Sequence, residues 1–106
     1  MTSPSKAKGN GYERELVEQA KAAGLPARRA WGSNGAAMGL HPEVDIELKP
    51  GVTLQAKRRK ALPAYLQIPD SCTGVAFRQD RGKPMVLVRL ADFLAWVGSG
   101  FQKEQK

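Results

Sequence analysis

Apolar positions recur along the chain at two periods. Over residues 10–23 the spacing is helical: Leu16, Val17, Ala20 and Ala23 fall on one side, and Gly24 with Pro26 ends the run. Asn10 has a side chain suited to cap the start. Ahead of it, residues 1–9 are rich in Ser, Pro, Lys and Gly, which bury too little to order themselves. They read as a flexible basic arm. Residues 27–31 predict a short strand, and residues 32–42 a Gly- and Asn-rich loop of a length more often functional than merely connecting.

The period then changes to two. Val44, Ile46 and Leu48 alternate with Asp45 and Glu47; Val52, Leu54 and Ala56 alternate with Thr53, Gln55 and Lys57. Two such runs around Lys49-Pro50-Gly51 predict a hairpin. With a three-residue loop Leu48 faces Val52 and Asp45 faces Gln55, so Asp45, Gln55 and Lys57 share one face. Residues 61–68 suggest a short helix carrying Tyr65 and Leu66. Residues 75–78 and 84–89 predict a second hairpin around 79–83. A last amphipathic helix spans 91–97, with Leu94 and Val97 facing inward and Gly98 as its C-cap. The sum is a mixed α/β (α+β) sandwich with a mostly antiparallel sheet. One domain over residues 10–98 and a polar tail over 99–106 complete the division.

Charge narrows the function. A net charge of +7 on 106 residues favours a polyanionic partner, with nucleic acid the default. No apolar run reaches the roughly 20 residues of a spanning helix. The opening residues lack the apolar stretch of a secretory signal. Cys72 is the single cysteine and His41 the single histidine, which disfavours a zinc site or a Cys–His pair and points to a reducing, cytoplasmic setting. No small-molecule cofactor is expected.

The chemistry concentrates on the first hairpin. A carboxylate (Asp45), a second oxygen ligand (Gln55) and an ammonium (Lys57) on neighbouring strands suit phosphodiester hydrolysis. Oxygens hold a hard cation such as Mg²⁺, which activates water and offsets charge on the phosphate. The ammonium stabilises the charge that develops. Glu13 borders the inward stripe of the first helix, where a carboxylate is costly unless something pairs with it. Packing that helix on the sheet would bring Glu13 toward the same edge, although taken alone Glu13 reads rather as a partner of Arg14 or another surface base.

Taken in order, Lys8-Gly9, Glu13-Arg14-Glu15-Leu16, Arg29-Ala30-Trp31-Gly32-Ser33, Val44-Asp45-Ile46 and Leu54-Gln55-Ala56-Lys57 resemble the archaeal-type Holliday junction resolvases. These belong to the PD-(D/E)xK nuclease superfamily and occur in archaea and phages. The resemblance implies a restriction-endonuclease-like core with a central, mostly antiparallel mixed five-stranded sheet flanked by helices. It also implies a homodimer that cuts four-way DNA junctions with Mg²⁺ or Mn²⁺, in the cytoplasm (the host's where phage-encoded). On that resemblance Glu13 and Asp45 are metal-site residues, Lys57 is the catalytic lysine, Ser33 assists from the loop, and Arg29 contacts DNA, with Arg28 in that part if the alignment slips by one. Gln55 departs from the family, which usually has glutamate there. Its amide oxygen still serves a metal but brings no charge, and Glu47 on the same strand face is the nearest replacement carboxylate.

Beyond the site, Lys57-Arg58-Arg59-Lys60 reads as phosphate contact, and Lys6, Lys8, Arg14, Arg28 and Arg29 extend the track. Such contacts read backbone rather than base sequence, and their binding weakens steeply with salt. Trp31 suits packing at a strand end more than a wedge between bases; Phe93 and Trp96 suit the core or a dimer surface; His41 suits a loop. Two other readings stand beside junction resolution: a restriction or repair nuclease of the same fold, and a DNA-binding module weakened in catalysis.

Overall fold

The computed structural model describes residues 4–30 and 35–100. Helix α1 spans Pro4–Ala22. Proline is tolerated in a helix's first turn, where its missing N–H has no partner to lose. The helix therefore takes in residues 4–9, expected as a flexible arm, and Asn10 lies inside it rather than at its cap. Once a helix is nucleated, each added residue gains a hydrogen bond, which outweighs the modest cost of Gly9, Asn10 and Gly11. Leu16 and Ala20 are buried on one stripe together with Glu13. Gly24 (φ +88°) ends the run, and Leu25 N–H returns to the carbonyl of Ala20 at 3.0 Å. This left-handed turn at the C-terminus is where glycine costs least.

Strand β1 is Arg28–Arg29, β2 Ile46–Lys49 and β3 Val52–Leu54, in an antiparallel sheet of order β1-β2-β3. Between β1 and β2 a 3₁₀ turn covers Gly35–Met38. Pro50 and Gly51 (φ +87°) alone make the hairpin turn, with Lys49 opposite Val52. The expected three-residue loop is thus one residue too long. A bulge between Glu47 and Lys49 absorbs the difference, and the ladder continues as Glu47 opposite Thr53 and Ile46 opposite Leu54.

A second 3₁₀ turn, Ala64–Leu66, follows β3 where a short helix was expected. Strands β4 (Gly74–Phe77) and β5 (Met85–Val88) form a separate antiparallel ribbon. The five-stranded sheet implied by the family resemblance is therefore not what the chain builds; it makes one sheet of three strands and one of two. Extended pairing stops at Leu54, and the stretch to Gly74 carries Pro63 and Pro69, which have no N–H to offer a ladder. Helix α2 spans Leu90–Gly98 and ends at Ser99, so Gly98 belongs to the helix.

The core joins α1, the three-stranded sheet and α2. Leu16, Ala20, Leu25, Ala27, Ile46, Leu48, Val52, Leu94 and Val97 cluster there, with Tyr12, Leu54, Leu90 and Phe93 packed around them. Lys49 Nζ donates to the carbonyl of Val97 at 3.2 Å, so a cation from the hairpin satisfies the negative end of α2. No helix among the described residues is long and apolar enough to cross a membrane.

Candidate active site

Glu13 and Asp45 are the two buried charged residues of the described chain, 5% and 8% exposed. Both positions follow from local pattern. Glu13 stands three residues before Leu16 on the inward stripe of α1. Asp45 precedes β2, whose Ile46 and Leu48 point into the core. A buried carboxylate needs compensation, and each has it. Arg29 Nη1 lies 3.9 Å from Glu13 Oε1. Asp45 Oδ2 accepts the Ala56 N–H at 2.7 Å.

The backbone locks Asp45 on both sides. Its N–H donates to the carbonyl of Leu54 at 3.0 Å, and its carbonyl accepts from Ala30 N–H at 2.7 Å. The β2–β3 register continued one step sets Asp45 opposite Gln55, and the residues on either side of Gln55 both bond to Asp45. Gln55 and Lys57 are exposed on the segment just past β3. Glu13 joins through β1: it pairs with Arg29, whose neighbour Ala30 is bonded to Asp45. A chain of contacts thus runs from Glu13 through β1 to Asp45 and on to the residues past β3.

Other expected residues lie elsewhere or are engaged. Glu47, the replacement carboxylate named above, accepts Arg28 Nε at 2.8 Å directly across the ladder. Arg28 is the partner in that pair, while Arg29 turns to Glu13. Arg14, Arg28 and Arg29 line one shallow cavity together with Lys21, a cation the sequence reading did not include. Arg58, Arg59 and Lys60 are exposed beyond Lys57. Lys6 and Lys8 fall on the first turns of α1, but their side chains lie outside the described part. Trp31 and Ser33 lie outside the described residues as well. His41 Nδ1 accepts the Glu43 N–H at 3.1 Å, a bond that closes its own loop.

Among the described residues no three His, Cys, Asp or Glu side chains gather at one point. The oxygen donors that the candidate residues offer are two carboxylates, Glu13 and Asp45, and one neutral amide, Gln55. That set fits Mg²⁺, which commonly takes one or two carboxylates and completes its shell with water and substrate phosphate. It suits a soft or thiolate-seeking metal poorly.

The α+β fold thus carries two buried carboxylates, with an exposed lysine and three further bases following β3. A sequence model of the archaeal Holliday junction resolvase (Hjc) family matches residues 4–98, nearly the whole chain, and the chain belongs to that family. The family is one of nucleases, hydrolases acting on DNA. Comparison with curated proteins and with solved structures returned no match.

Proposed function

We propose that the protein is a metal-dependent endonuclease that resolves four-way DNA junctions, with Glu13, Asp45, Gln55 and Lys57 at its centre. The reading is supported by Glu13 and Asp45 being the two buried charged residues of the described chain, and by the Ala56 N–H bond that ties Asp45 to the segment carrying Gln55 and Lys57. Two carboxylates kept out of water are expensive, and a catalytic role accounts for that expense.

Glu13 and Asp45 would hold the cation, and the Gln55 amide oxygen would add a neutral ligand. A bound Mg²⁺ or Mn²⁺ contributes polarisation of the phosphate and a water acidified enough to attack. Asp45 is pre-positioned: its carboxylate is fixed by the Ala56 N–H, so little ordering is left to be done on binding. Lys57, exposed next to Ala56, stabilises negative charge growing on the phosphate oxygens. Arg58, Arg59 and Lys60 hold the flanking phosphates, and Ser33 keeps the assisting part that the family resemblance implies.

A homodimer in the cytoplasm completes the reading. Met85, Val86 and Trp96 are 56%, 63% and 45% exposed. A two-stranded ribbon is marginal alone, and a second copy packed against it would support it.

The test uses a four-way junction and a linear duplex of the same sequence, each with Mg²⁺ or Mn²⁺. Paired nicks confined to the junction support the proposal. Duplex cleavage would assign the site to a restriction or repair nuclease, and tight binding without cutting would leave a binding module in which Gln55 has weakened the centre. Asp45→Asn is expected to lower cleavage by about a thousandfold or more with junction affinity nearly unchanged. Parallel loss of both would make Asp45 a structural residue.

A further inference from the structure

Beside Lys57 the surface opens into a shallow cavity of about 290 Å³, lined by Tyr12, Glu15, Lys57, Arg58, Arg59 and Leu62. Tyr12 and Glu15 are three apart on α1 and share a side of the helix. The other four come from the segment that follows β3, which crosses in front of them. Two features set the cavity apart from a plain basic patch. Its walls include a phenol ring, half-buried and packed against the core, and an isobutyl group that is 54% exposed. Its rim carries three cations against a single carboxylate, and among the described residues no ion pair joins Glu15 to them.

An exposed leucine costs free energy in water, and a phosphate-binding surface has no use for one. A ligand with a flat apolar face and an attached anion has a use for both. On the reading of the protein as a junction nuclease, we infer that this cavity takes an unstacked nucleotide of the DNA substrate, next to the phosphate to be cut. The base lies between the Tyr12 ring and Leu62, and its phosphates meet Arg58 and Arg59. Stacking on an aromatic ring tolerates any base, because every base has a π-face. Branch points supply unstacked bases more readily than a continuous duplex does. The cavity therefore contributes to recognition of structure, separate from the metal-site chemistry.

The test measures equilibrium binding in EDTA, so that no cutting intervenes. The probes are a four-way junction, the same junction with abasic nucleotides at the branch point, a linear duplex of the same sequence, and a short single strand with and without its bases. Wild-type protein is expected to bind the intact junction about tenfold more tightly than the abasic one. Tyr12→Ala and Leu62→Ala should each lose a comparable factor on the intact junction and nothing further on the abasic one. This non-additivity is the signature of a base held by those side chains. Leu62 is exposed, so its variant keeps the fold even if loss of the Tyr12 ring weakens it. Equal affinity of the wild type for intact and abasic junctions, or additive losses, would overturn the inference while leaving junction cleavage standing. Absence of any preference for junction over duplex would instead count against junction resolution. The single-strand pair then decides the inference by the same comparison.

Discussion

Gln55 is the residue at which this chain departs from what its family resemblance implies. The edge it shares with Asp45 holds one fewer negative charge than a glutamate would give. Glu47 does not make up the difference, because it is tied to Arg28 across the ladder. Restoring the charge with Gln55→Glu should lower the Mg²⁺ concentration for half-maximal cleavage by about tenfold, since carboxylate count governs affinity for hard cations. A metal titration of cleavage rate checks this, and an unchanged midpoint would place Gln55 outside the metal's reach. Both buried carboxylates were legible in the sequence, each by a different route. Glu13 stood out by its helical spacing to Leu16, and Asp45 by its place in an alternating run. The partners of Arg28 and Arg29 were not legible. Successive residues on a strand face opposite sides, and only the packing of α1 on β1 decides which arginine meets which acid.

At the scale of elements, periodicity located every strand and both helices, and it failed at ends and at pairing. It placed the start of α1 several residues late, because glycine and asparagine resemble a loop in composition while an established helix tolerates them. The family resemblance implied five strands in one sheet, and periodicity had no means to correct it, because alternation reveals a strand without revealing its neighbour. The separate β4–β5 ribbon has its own requirement. A Cβ added at Gly74 would meet the carbonyl oxygen of Leu87 at 2.5 Å and Val88 Cγ1 at 2.9 Å. Gly74 pairs with Val88 at the end of the ribbon that leads into α2. Gly74→Ala should destabilise the protein by about 1–3 kcal/mol, as overpacking does. A urea melt measures it, and a midpoint equal to wild type would show that the strands separate there without cost.

For the molecule as a whole, size and charge decide what surface remains to be covered. A chain of 106 residues builds a small core, and here that core lies between α1, the three-stranded sheet and α2. Met85, Val86 and Trp96 are left outward. If a second copy covers them, Val86→Lys should convert a dimer into a monomer in sedimentation velocity without lowering the helical content. A wild-type protein that sediments as a monomer would remove that support for paired cutting.

The bulge in β2 has a consequence for the hairpin's length. With Lys49 opposite Val52 and no extra residue, the ladder would run on with Ile46 against Gln55, handing the glutamine's place opposite the aspartate to Ala56. The surplus residue works like a leap day, bringing two counts that have drifted by one back into step. A deletion at Leu48 would therefore straighten the strand and still leave the acid and amide facing each other, whereas one residue inserted after Ile46 would set Ala56 opposite Asp45 and disarm the centre while touching none of its polar groups.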